Sequence, residues 1–180
     1  MSDSLPISCA PELVTARMVL RGHRREDFDD CAVMWGDAAV TRFIGGKPST
    51  REQAWARLLR YVGHWTLLGF GYWVVHERAS GRFVGEVGFA NFKRDLVPPL
   101  GDAPEMGWVL APWCVGRGFA TEAAQAALGW IDAVFRARRT VCMIDPENAA
   151  SLNVAGKCGY REFARAAKDG PVILLERLRG

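Results

Sequence analysis

The stretch Pro112-Trp113-Cys114-Val115-Gly116-Arg117-Gly118-Phe119-Ala120-Thr121-Glu122-Ala123 decides how this chain is read. A short turn with two glycines runs into an alanine-rich segment of helical periodicity. Glycines at 116 and 118 let the backbone fold tightly, with amide N–H groups pointing into one hollow. The first turn of the following helix adds unpaired N–H groups and the positive end of its dipole. Such a turn takes an anion, most naturally a phosphate or pyrophosphate. A nucleoside-triphosphatase loop needs a Lys directly after its last glycine, and none follows either glycine here. A dinucleotide turn needs a third glycine where Thr121 stands, and an acidic residue about 20 positions on, in a region that here falls near Val141. A coenzyme A pyrophosphate loop and an ordinary strand-to-helix turn remain.

A second constellation bears on that choice. It runs Asp145-Pro146-Glu147-Asn148-Ala149-Ala150-Ser151-Leu152-Asn153-Val154-Ala155-Gly156-Lys157-Cys158-Gly159-Tyr160. Asn148 suits a helix N-cap, and Pro146 sets the turn before it. Gly159 suits the terminator, and Tyr160 starts the next strand. Asn148 and Ser151, three residues apart, lie near the start of one helical face.

On these residues the chain resembles the GNAT family of N-acetyltransferases, and within it the ribosomal-protein N-terminal acetyltransferases. The extended loop of that subgroup, W-x-x-G-x-G-[YF]-A-T-E-A, is matched from Trp113 to Ala123. Its second motif, N-x-x-S-x-x-[VL]-x-x-K-x-G-[FY], is matched from Asn148 to Tyr160. Gly85 to Phe89 and Glu105 to Leu110 resemble the two central strands, in the family's order. Two positions depart from the family. Val115 replaces the Gln or Arg that opens the loop, and Ala155 replaces a Tyr that many members use to protonate the leaving thiolate.

The resemblance implies an α+β fold of one domain, with a mixed, largely antiparallel sheet flanked by helices. It implies acetyl-CoA as donor, a primary amine as acceptor and direct transfer in a ternary complex. Val115, Gly116, Arg117, Gly118, Phe119, Ala120 and Thr121 would hold the pyrophosphate. Val109 and Leu110 would offer backbone groups to the pantetheine arm and the thioester carbonyl. Asn148 and Ser151 would lie beside the pantetheine and the sulfur. Ser151 is the best remaining acid, Glu105 the first candidate base and Glu86 the second. A base matters more for Lys than for a peptide N-terminus: an α-amino group is roughly a tenth neutral at pH 7, a Lys only about 0.04%. The acceptor is a protein or peptide N-terminus or a small-molecule amine. The alternative, favoured by Ala155 and Val115, is a catalytically weak acetyl-CoA-binding sensor or interaction module.

Composition agrees with an enzyme of this size. The 180 residues suit one domain, with 49% apolar and 24% charged residues. A net charge of +3 is too mild to imply nucleic acid, and no direct contact with it is expected. Five scattered cysteines form neither a C-x-x-C pair nor a disulfide framework. Cys31, Cys142 and Cys158 read as core, and Cys114, beside the loop, is the one to watch. The three histidines have no metal spacing, so no metal is expected. No signal peptide or membrane-length apolar run is present, which makes the cytoplasm the default and a membrane partner unexpected. A homodimer is compatible with the sequence.

Along the chain, residues 1–11 read as a loose lead-in and 12–180 as the catalytic domain. A strand is expected from Leu13 to Arg21, then a helix from Arg25 to about Trp35. Ser49 or Thr50 caps a longer helix, with Trp55, Leu58, Leu59 and Val62 on its buried face. Strands follow at Phe70–Glu77 and Arg82–Phe92, a long loop at Lys93–Pro104, and a strand at Glu105–Ala111. The helix from about Ala120 to Phe135 buries Ala120, Ala123, Ala124, Ala127, Leu128, Ile131 and Phe135. A strand at Arg138–Ile144, the Asn148–Cys158 helix and two last strands complete the order.

Overall fold

The computed structural model describes residues 9–179. Most of the lead-in expected over 1–11 lies outside them. Within what is described, the Pro11 carbonyl accepts a hydrogen bond from Trp73 Nε1 at 2.7 Å, which ties the chain to the sheet just before the first strand.

The segment expected as one strand is a small hairpin: β1 (Leu13–Val14) and β2 (Met18–Arg21) pair antiparallel. Thr15 makes the turn. Its backbone N–H bonds the Met18 carbonyl, and its hydroxyl accepts from the Met18 N–H. A 3-10 turn at Arg25–Asp27 leads into α1 (Phe28–Trp35), followed by the short α2 (Ala38–Thr41).

Next comes α3 (Arg51–Leu68). Thr50 caps it in a reciprocal box with Gln53, and Gly69, at φ 72°, closes it. The buried stripe is Ala54, Leu58, Tyr61, His64 and Trp65, not the expected face. Of the residues expected inward, only Leu58 is buried, while Trp55, Leu59 and Val62 are exposed. Both stripes repeat at helical spacing. The sheet takes the one whose aromatic tips find partners: Trp65 Nε1 bonds the Tyr72 carbonyl at 2.9 Å, and Tyr61 stacks on Tyr72 with ring centroids 4.1 Å apart.

Strands β3 (Tyr72–Glu77), β4 (Phe83–Ala90) and β5 (Glu105–Leu110) form an antiparallel run. Helix α4 (Phe119–Trp130) continues into a π-helical turn at Ile131–Phe135. That turn shifts the phase, so Phe135 is exposed rather than buried. At the other end, Ala120 lies in the open first turn of α4 and is only half-buried. Then follow β6 (Arg139–Ile144), α5 (Ala149–Lys157), β7 (Arg161–Ala167) and β8 (Pro171–Leu178). The eight strands form one sheet in the order β1-β2-β3-β4-β5-β6-β8-β7. It is antiparallel except between β5 and β6. The main core lies between the sheet and α1, α4 and α5, and includes Trp73, Phe89, Phe119 and Ile131.

Candidate active site

The one parallel pair in the sheet creates the site. Strands β5 and β6 pair only at Glu105 and Val141, where the Val141 N–H bonds the Pro104 carbonyl. Beyond that point they part. On its other edge β5 is fully paired with β4, and the Ala111 N–H donates to the Val84 carbonyl. Antiparallel alternation then turns the backbone groups of Glu105, Gly107 and Val109 toward β4. Those of Met106, Trp108 and Leu110 face the gap. Of the two strand residues expected to offer backbone groups, Leu110 has them on the open side. Val109 turns its backbone groups toward β4, although the residue still lines the cavity.

The gap opens into a cavity of about 770 Å³. One wall is β5 from Glu105 to Val109, and the facing wall is β6 with Asn148 and Ser151 of α5. The Asn148 side chain accepts from the Ser151 N–H at 3.1 Å and so acts as the helix cap. Ser151 Oγ accepts from Trp108 Nε1 at 3.3 Å, across the gap from β5. The serine hydroxyl is thus aimed at the opposing strand, with its own proton free to donate. Ala155 is fully buried, so nothing at that position reaches the cavity. Trp108 was not singled out from sequence as a site residue; its place on a strand with two open backbone groups was the available signal.

The two candidate bases separate. Glu105 is buried at the cavity wall and held by Arg94, whose Nε and Nη2 lie 2.7–3.0 Å from its oxygens. Glu86 lies outside the cavity wall. Fully buried, it accepts from His23 Nε2 at 2.7 Å and Trp35 Nε1 at 2.7 Å, with Cys31 Sγ at 3.4 Å. Burial raises its carboxyl pKa, but the His23 hydrogen bond and charge and the Trp35 bond outweigh that and hold it below the ordinary value. It is placed to fix Trp35, which does line the cavity, rather than to take a proton from a substrate. His23, Cys31 and Glu86 bring their donor atoms within 4.8 Å of one another, and the 2.7 Å contact between imidazole and carboxylate is a direct hydrogen bond.

The glycine turn lies beyond the end of β5. Gly116 and Gly118 have φ of 75° and 78°, values that L side chains rarely adopt. Gly118 is the N-cap of α4 and has no side-chain cap, while the Glu122 N–H makes the first helical bond, to the Gly118 carbonyl. This leaves the N–H groups of Phe119, Ala120 and Thr121 at an exposed helix end. Arg17 braces the turn: it donates to the Arg117 carbonyl at 2.8 Å, pairs with Glu122 at 2.7 Å and lies over the Phe119 ring. Val115 is exposed, as is Arg117. Cys114 is buried, with its thiol pKa pushed up to about 11 by burial, and Cys31, Cys142 and Cys158 are raised for the same first reason. None is a poised nucleophile.

The family described as "Acetyltransferase (GNAT) domain" matches residues 17–161. The chain belongs to the GNAT acetyltransferase family. Its donor is therefore acetyl-CoA. Among relatives, the acetyltransferase is 28% identical to the uncharacterized protein YkkB of Bacillus subtilis over 173 residues, 92% of this chain and 95% of that one. A solved protein from Bordetella pertussis assigned to the GnaT acetyltransferases superposes with a TM-score of 0.82 at 33% identity, covering 93% and 99% of the two chains. The ribosomal-protein-S5-alanine acetyltransferase of Vibrio fischeri shares the fold, with a TM-score of 0.73 at 19% identity over 93% and 96%.

The GNAT assignment leaves the other side of the cleft to be described. Tyr72 lies against Gly107, where any side chain would collide with its hydroxyl. Tyr61 stacks on Tyr72, and both rings line the cavity with His64, Phe92 and the α3 arginines Arg57 and Arg60. Trp35 joins this wall, whereas Trp65 and Trp73 are core. None of the α3 residues was named from sequence as an acceptor group, because the helix carries no short chemical signature.

Proposed function

We propose that the enzyme acetylates the primary amine of a peptide N-terminus or a small molecule within a ternary complex. The Trp108–Ser151 contact across the strand gap carries this reading. The thioester sits along the open edge of β5, where the Trp108 and Leu110 N–H groups meet its carbonyl oxygen. A fixed donor of this kind is typically worth about 3–4 kcal/mol in the transition state. The pyrophosphate rests on the turn from Val115 to Thr121. The incoming amine approaches from the Glu105 side and gives up its proton there, either to the carboxylate directly or through water. The nitrogen lone pair attacks the carbonyl carbon. As the C–S bond breaks, Ser151 Oγ hands its proton to the departing thiolate and takes up the surplus proton of the nitrogen, leaving a neutral amide, a free thiol and an unchanged serine.

The buried cysteines agree with direct transfer, since a covalent acetyl-enzyme needs an activated nucleophile. The test is thiol release from acetyl-CoA with a panel of N-terminal peptides and small amines. Turnover is expected with at least one class. Ser151→Ala is expected to lower kcat about tenfold to a hundredfold, with acetyl-CoA affinity within about twofold of wild type, in the range of a lost proton-transfer group. Unchanged kcat removes Ser151 from the mechanism.

A further inference from the structure

The α3 side of the cavity carries charge that the described chain does not answer. Six cations line the wall, and three have carboxylate partners: Arg94 on Glu105, Lys93 on Asp102 at 2.6 Å and Lys168 on Asp169 at 3.1 Å. Arg42, Arg57 and Arg60 make no ion pair among the described residues. Arg57 and Arg60 stand three residues apart on α3, on one helical face.

Both are held in place by aromatic rings. The Arg57 guanidinium lies 3.6 Å from the Trp35 ring centroid and donates to Ser49 Oγ at 3.3 Å. Trp35 is itself fixed by its bond to the buried Glu86. The Arg60 guanidinium lies 5.0 Å from the Phe92 centroid, and Arg94, the partner of Glu105, lies 4.6 Å from the same centroid. One ring therefore links the free guanidinium to the one that holds the candidate base. Guanidiniums stacked in this way have little freedom left to lose, and they keep N–H edges open for a bidentate acceptor. His64 adds no cation: burial first, and Arg60 second, hold its pKa below the usual value.

We infer that the acceptor amine also carries an anionic group, a carboxylate or a phosphate, which Arg57 and Arg60 bind while the amine meets the thioester beside Glu105 and Ser151. The inference rests on the acetyl-CoA reading and narrows it. Polyamines, which bring only positive charge, are poor acceptors on this account.

The test compares acceptor pairs that differ only in that charge. The pairs are an alanyl peptide with aspartate and glutamate at the next two positions against its asparagine and glutamine counterpart, free amino acids against their amides, and phosphoethanolamine against ethanolamine. Spermidine is the cationic control. In at least one pair the anionic member is expected to exceed its neutral partner in kcat/KM by about tenfold or more, as charge-assisted bonds predict. The pair that responds tells peptide side chain, carboxyl terminus and phosphate apart. In Arg57→Gln and Arg60→Gln the ratio is expected to fall toward one, chiefly through KM, with melting temperature confirming that each variant is folded. Equal or better turnover of every neutral member, a ratio that survives both substitutions, or silence with every pair overturns the inference. Coenzyme A melting shifts on the same samples separate the two ideas. A protein that coenzyme stabilises but that ignores acceptor charge loses only this subsite; one that coenzyme does not stabilise loses the acetyl-CoA reading as well.

Discussion

At the scale of residues, two glutamates on neighbouring strands have different work. Glu105 faces the cavity, whereas Glu86 is fully buried and ties β4 to α1 through Trp35 and to the segment after β2 through His23. Removing the Glu86 carboxylate leaves a buried indole N–H and an imidazole without their acceptor. Glu86→Ala is therefore expected to cost about 2–4 kcal/mol of stability near neutral pH. The sign with pH follows from the direction of the shift. A carboxyl held below its ordinary value stabilises the fold above that value, and the gain is lost as pH falls through the folded one. Melting temperature measured from pH 7 down to 3 should show wild type and variant converging below about pH 4, where ordinary carboxylates protonate. A constant gap at every pH contradicts this role. The sequence shows an acid on each strand, but facing depends on register, and only the sheet sets that.

At the scale of elements, the turn and the long helix show what was legible and what was not. The turn from Val115 to Thr121 was readable because left-handed backbone leaves few residue choices. Gly116 and Gly118 occupy that region, and α4 begins at once after them. Asn148 was readable for a similar reason, as a cap whose side chain has one local job. The inward face of α3 was not, since two apolar stripes compete and only contact with Tyr72 and Trp73 decides between them. Nor was the hairpin at 13–21, because the Thr15 turn contains no glycine. Gly118→Ala tests the turn. A Cβ there costs about 1–2 kcal/mol in left-handed backbone, so the free loop relaxes and coenzyme must restore it. Acetyl-CoA affinity should weaken about fivefold to thirtyfold by calorimetry; an unchanged Kd would mean that the conformation does not matter for binding.

At the scale of the molecule, one sheet is split at its one parallel pair, and each end of the split has its own chemistry. In the proposed function, backbone N–H groups at the start of α4 take the donor's pyrophosphate, the open strand edge and the α5 serine take its thioester, and the inferred acceptor subsite is formed by arginines on α3. The fold class and the glycine turn were visible in sequence because they are made of local motifs. The proposed acceptor end draws on residues that are far apart in the chain, Trp35, Arg57, Arg60, Phe92 and Arg94, and no short pattern joins them. No described helix is long and apolar enough to cross a membrane. In the proposed ternary complex the glycine turn anchors the donor's pyrophosphate while the thioester lies at the strand gap. Calorimetric titration with acetyl-CoA and with acetyl-pantetheine, which keeps the thioester but lacks the pyrophosphate and nucleotide, tests it most directly. Acetyl-CoA is expected to bind, with a loss of at least about tenfold for acetyl-pantetheine, since several charge-assisted N–H contacts disappear. Equal affinity for the two would contradict it.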